Sequence, residues 1–138
     1  MEILSKDNND IIAILDDILR EREVYVSGRK FTVIEPMDEY WRECACLFLA
    51  AVVYYLKENT TSENELCYSA VLDFIQRARN MDIDELTALF CNKGCTSEAY
   101  ICYSAFLDKA GKTVVSVMLA AYTKIKVIYF DKQRIAEF

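Results

Sequence analysis

The chain has 138 residues, enough for one domain with a single hydrophobic core. Apolar residues make up 54% of it against three glycines and one proline, which disfavours sandwiches and barrels, with their closely spaced turns, and favours helices. A net charge of −6 and a pI near 4.7 argue against a dedicated nucleic-acid binder, whose affinity rests on a basic surface.

Ile11, Ile12, Leu15, Ile18 and Leu19 recur at helical spacing behind the capping residues Asn8, Asn9 and Asp10, predicting an amphipathic helix over 10–23. Near residues 24–34 two β-branched and aromatic runs flank Ser27-Gly28, the pattern of a short hairpin or an extended loop. Pro36 then opens a helix expected from about residue 37 to Lys57, with Asp38 and Glu39 in the first turn, where the helix dipole favours acids. Trp41, Ala45, Phe48, Val52 and Tyr55 form one apolar stripe along it, and Cys44, Leu47, Ala51 and Tyr54 a second. A helix apolar on so much of its circumference must be surrounded by others, so it is the central element. Its uncharged run, Cys44 to Leu56, spans about 20 Å at 1.5 Å per residue, too short for a hydrocarbon core of about 30 Å.

A polar connector over 58–65 leads to a third helix that starts at Leu66 and ends in Arg77-Ala78-Arg79. A short helix follows from Asp82 or Ile83 to about Cys91, stopped by Asn92-Lys93-Gly94. Thr96 or Ser97 caps the fifth and longest helix, whose apolar seam runs through Tyr100, Tyr103, Leu107, Ala110, Val114, Val117 and Ala121. Val127 to Phe130 is ambiguous between helix and strand, since its β-branched and aromatic residues would suit a strand, and Asp131 is a candidate cap for a last turn to Phe138. Neither a repeat nor a low-complexity linker interrupts the pattern. Residues 1–138 therefore read as one all-α domain, a five- or six-helix bundle with one hairpin at most.

Gly111-Lys112-Thr113 invites a phosphate-binding reading, but a P-loop needs a glycine where Phe106 stands, and the helical pattern on both sides leaves no loop. The stretch therefore belongs in the middle of the long helix. With no histidine, the commonest general base and metal ligand is absent. Asp16-Asp17 and Asp82, Asp84 and Glu85 occupy amphipathic or helix-start positions, where acids are ordinary, so no catalytic constellation emerges.

Of the six cysteines, Cys44, Cys46 and Cys102 lie in apolar helical patterns, as buried thiols do in a reducing compartment. Cys91-Asn-Lys-Gly-Cys95 is the one spacing that resembles a metal or redox pair, to which Cys67 or Cys102 would have to add for a cysteine-only site; reduced cysteines near a helix end are the favoured reading. No metal and no cofactor is expected. Charge is unevenly spread: residues 109–134 carry +5, so any contact with a polyanion such as DNA is expected there. Lys109, Lys112 and Ser116 then form a polar strip on the long helix, suited either to solvent or to an acidic partner.

Two segments together resemble type IV coupling proteins of the TraG kind, the ATPases of conjugation and type IV secretion. Asp38-Glu-Tyr-Trp41-Arg-Glu-Cys-Ala45, followed by the apolar Leu47 to Leu56 run, is similar to the family's Asp-Pro-Phe-Trp-x-x-x-Ala helix opening. Tyr103-Ser-Ala-Phe106, Ala110-Gly-Lys-Thr113 and Ser116-Val-Met resemble its Tyr-x-x-Phe, Ala-Gly-Lys-Thr and Ser-Ile helix. Ser69 to Phe74 and Asp84-Glu-Leu-x-x-Leu-Phe90 fall in matching order between them. Departures are the missing proline after Asp38, Tyr40 in place of phenylalanine, and the Tyr25 to Ile34 stretch, which has no family counterpart.

The resemblance implies the all-α domain that such ATPases carry between their Walker A and Walker B elements, excised from the larger protein and without ATP hydrolysis of its own. It implies recruitment of a relaxase or relaxosome, or of a secreted protein substrate, on the cytoplasmic side of an inner-membrane ATPase. In that reading Asp38, Trp41, Ala45, Tyr103, Phe106, Ala110 and Thr113 are packing residues, and Lys109, Lys112 and Ser116 the contact candidates. The competing expectation is a stand-alone helical regulatory protein that oligomerises through its apolar helices.

Overall fold

The computed structural model of the chain describes residues 11–13, 15, 16, 19, 21–34, 39–59 and 68–136. It is an all-α bundle with one hairpin. In the N-terminal helical segment Ile11, Leu15 and Leu19 share one buried face, as their spacing predicts. This helix stops short of the expected residue 23, because strand β1 (Glu21–Val26) has begun by then. Its Val-Tyr-Val run prefers extended backbone, where β-branched and aromatic side chains keep their rotamer freedom.

Strand β1 pairs antiparallel with β2 (Arg29–Ile34), from Glu21 opposite Ile34 to Val26 opposite Arg29. The two-residue loop has Ser27 at φ 53° and Gly28 at φ 78°, the two left-handed residues of a type I′ turn, which matches the twist of the strands it joins. Glycine adopts that conformation freely and serine does so at a cost, which is why Ser27-Gly28 is a weaker hairpin signal than Asn-Gly.

Among the described residues five helices follow: α1 (Glu39–Asn59), α2 (Tyr68–Ala78), α3 (Ile83–Phe90), α4 (Glu98–Ala110) and α5 (Val114–Ala136). From Cys44 to Tyr54 every residue of α1 except the half-buried Leu47 is buried. That wall-to-wall burial is possible because α4, α5 and α2 all pack on α1. Each buried Val, Leu or Phe there is stabilised by about 1.5–3 kcal/mol relative to exposure, far more than helix propensity supplies. Helix α5 also lies against α2 and against β1, so the hairpin is held by the bundle rather than standing alone.

Aromatic rings close the end of the bundle near α3. Phe90 stacks on Tyr103 at 4.4 Å between centroids, Phe74 meets Phe90 edge-on at 5.5 Å, and Tyr55 contacts both Phe74 and Phe90. The Tyr103 hydroxyl is satisfied by Thr87 Oγ1 at 2.8 Å. Helix α3 is short, and its ends are well tied: the Asp82 side chain accepts the Glu85 N–H, and Gly94, at φ 98°, reverses the chain after Cys91. Ser97 caps α4 by accepting the Tyr100 N–H.

The structure corrects the sequence reading of the C-terminal half. The long fifth helix is two helices, because Gly111, at φ 54° and ψ −119°, leaves the helical region and a 3₁₀ turn over Gly111–Thr113 joins α4 to α5. An L-residue rarely adopts that conformation, whereas glycine enters it without a Cβ clash. Val127 to Phe130 is not a strand, nor is Asp131 a cap: α5 runs on through both. Local β-propensity is overridden there by continuation of an already formed helix. The second helix starts at Glu39 and ends at Asn59, and the third starts at Tyr68, each within two residues of expectation.

The Gly111 backbone generates a direct test. A Cβ at Gly111 would meet no neighbouring atom, so Gly111→Ala measures conformational strain alone. It is expected to lower stability by about 1–3 kcal/mol, read as a lower urea midpoint at unchanged slope.

Candidate functional site

The break at Gly111 leaves the last carbonyls of α4 without helical partners, and the first turn of α1 supplies one. The Tyr40 hydroxyl lies 2.9 Å from the Lys109 carbonyl, to which it donates, 3.2 Å from the Ala110 carbonyl and 3.2 Å from Thr113 Oγ1. Thr113 Oγ1 in turn donates to the Ala110 carbonyl at 2.6 Å. One turn further along α1, Glu43 Oε2 meets Lys109 Nζ at 2.7 Å. The Trp41 ring stands edge-on to Tyr40 at 6.0 Å and is half-buried against the core. The α4–α5 joint is therefore fastened to the start of α1 by a hydroxyl and a charge pair.

This arrangement rearranges the expected contact strip. Lys109, Lys112 and Ser116 do not share one helix: they sit on α4, the 3₁₀ turn and α5 respectively. Lys109 is engaged by Glu43, whose hydrogen bond and charge hold its ammonium above the ordinary lysine range. Lys112 and Ser116 are exposed. Beside them stand two apolar side chains that the hydrophobic pattern did not single out, Val115 at 70% exposure and Leu119 at 45%, one turn apart on α5. Pattern reading placed apolar residues in the core by default, and only the course of α5 after the break shows which face is left outward.

Among the described residues, the basic last quarter is also less available than its charge suggests. Lys124 is buried at 5% exposure. Lys126 lies over the Tyr122 ring at 5.8 Å, with Arg79 of the α2 end over the same ring at 5.7 Å and Gln76 donating to the Tyr122 hydroxyl. These cations serve intramolecular contacts first.

The expected packing residues are found in the core or at its edge. Ala45, Tyr103, Phe106 and Ala110 are buried, Phe106 lying 5.1 Å from Phe48 between ring centroids, while Thr113 is half-buried. Asp38 lies outside the described residues. The N-terminal helical segment is bound to α1 by Arg42 and Asp16, 3.2 Å apart, and by Cys46 Sγ donating to the Ile12 carbonyl.

The thiols divide into two groups. Burial pushes Cys46 up to about 12, with Asp16 adding to it, and Cys102 up to about 11, so both are inert neutral groups at physiological pH. Cys91 and Cys95 instead lie together in the α3–α4 turn, 3.6 Å between sulfurs. Among the described residues no three Cys, Asp or Glu side chains gather as a metal site would require. Among the same residues no helix is long and apolar enough to cross a membrane.

Two measurements check the joint. Tyr40→Phe is expected to cost about 0.5–1.5 kcal/mol in chemical denaturation, since it removes the hydroxyl and keeps the ring. The raised Lys109 value means that the pair's contribution is fully present below the ordinary lysine value of 10.5 and is lost as pH rises through the higher folded value. Nζ titration by NMR should show this shift, and Glu43→Gln should abolish it.

Comparison with protein-family models, with characterised proteins and with solved structures finds nothing that matches this chain.

Proposed function

We propose that this chain is a substrate-recruiting all-α domain of a conjugative type IV coupling protein, a binding module without catalysis of its own. What carries the reading is the meeting in space of the two segments that bear the resemblance. Residues 38–45 and 103–118 are separated in sequence by the whole stretch 46–102, yet Tyr40 bonds to Lys109 and Thr113, and Glu43 to Lys109. The ordered motif set thus corresponds to one packed unit, with Trp41, Ala45, Tyr103, Phe106 and Ala110 at or in its core. Those residues build a platform; recognition falls to what the platform exposes.

The exposed face at the start of α5 suits a protein partner better than bare DNA. Lys112 and Ser116 flank the apolar Val115 and Leu119, the mixture of apolar centre and polar rim that protein interfaces use. Acidic residues dominate the chain before Lys109, and among the described basic side chains after it Lys109, Lys124 and Lys126 are already engaged or buried, which weakens the footprint that these three offer a phosphate backbone. The partner in this reading is the relaxase-bearing complex or a secreted protein, and the parent ATPase is anchored in the bacterial inner membrane.

A second reading has its own support in the same patch: a stand-alone helical regulatory protein would use Val115 and Leu119 to associate with its own copies. The experiment that separates the two is a pulldown of the cognate relaxase complex with this chain and with the intact ATPase, run beside light scattering of the chain alone. The coupling reading expects retention of the relaxase complex, weakened about tenfold or more by Val115→Asp with the fold intact. Failure of both chain and intact ATPase to retain it overturns that reading. A concentration-dependent dimer that Val115→Asp dissolves supports the second.

A further inference from the structure

The Cys91–Cys95 turn has chemistry that the binding role does not use. Cys91 is the C-cap of α3, and Gly94, at φ 98°, folds the chain back so that the Gly94 N–H reaches the Cys91 carbonyl at 2.9 Å. This reversal brings Cys95 Sγ to 3.6 Å from Cys91 Sγ. Both are free thiols, Cys95 exposed and Cys91 half-exposed. A disulfide needs the sulfurs about 2.05 Å apart, so the pair is roughly 1.5 Å from bonding distance.

We propose that Cys91 and Cys95 form a reversible dithiol–disulfide site whose oxidant is a low-molecular-weight disulfide. The exposed Cys95 thiolate attacks one sulfur of that molecule, the S–S bond breaks, and one small thiolate leaves. The resulting mixed disulfide holds Cys95 Sγ next to Cys91. Deprotonated Cys91 then attacks Cys95 Sγ and expels the second small thiolate, and the two cysteine protons end on the two departing thiols. Two electrons pass from the dithiol to the small disulfide, with no other reactant. The hydrogen bond between the two thiols raises the Cys91 thiol above the ordinary range, which agrees with Cys95 acting first and Cys91 resolving.

Oxidation ties down a segment that already organises one end of the bundle. Phe90, stacked on Tyr103, immediately precedes Cys91, and the Asn92 side chain donates to Asn59 at the end of α1. The bridge closes a small ring around that corner and fixes where α3 ends relative to the start of α4.

The test uses the full chain, fully reduced and then exposed to oxidised glutathione, with intact mass and mapping of the denatured digest. Trypsin cleaves after Lys93, between the two cysteines, so the bridge holds two otherwise separate peptides together. Expected is a chain lighter by two hydrogen atoms, linked between Cys91 and Cys95, restored by excess reduced glutathione, with Cys44, Cys46 and Cys102 unmodified. In Cys95→Ser no internal link should form and Cys91 should carry glutathione. A stable glutathione left on Cys95 of the unmutated chain, a bridge to Cys67 or Cys102, or a bond that excess reduced glutathione cannot open overturns the proposal.

Discussion

The structure depends on one constraint: α1 has no polar side through its central turns. From Cys44 to Tyr54 it must be covered on all sides, and three other helices do this. A helix of that kind is unstable alone in water, because its apolar circumference has nowhere to go. The order of the other elements follows from the need to surround it. Helix α4 lies along it most extensively, α5 and α2 cover further faces, and the N-terminal segment adds Ile11, Leu15 and Leu19 to the same core.

The Gly111 break belongs to the same constraint. An unbroken helix from Ser97 onward would keep one heading, whereas the break lets α4 and α5 each find its own packing direction on α1. Tyr40 and Thr113 then satisfy the carbonyls that the break frees. A phenylalanine at position 40 would keep the ring and leave the Lys109 carbonyl without the hydroxyl that it accepts from.

Periodicity made α1, α3 and the buried seam of α4 and α5 legible, because burial at helical spacing leaves its mark on residue type. The stop at Gly94 was legible for the same reason, and the cap at Ser97 was one of the two candidates, Thr96 or Ser97, each residue type matching one backbone need. The kink was not legible: a single glycine inside a helical pattern is compatible with continuation, and its ψ of −119° is a tertiary outcome. Val127 to Phe130 was ambiguous because β-branched and aromatic residues are weak evidence once a helix has begun. Of the contact strip, exposure of Lys112 and Ser116 was foreseeable, but the Glu43–Lys109 pair and the outward Val115 depend on contacts between elements far apart in sequence.

The half-buried Trp41 gives the joint an optical consequence. It is the chain's single tryptophan, set edge-on to Tyr40 beside the α4–α5 break. The indole emission of this protein therefore originates beside the Tyr40 clasp, and its colour and quenching follow the wetness of that one corner. A loosening of the clasp is seen by the protein's own fluorophore without any attached dye.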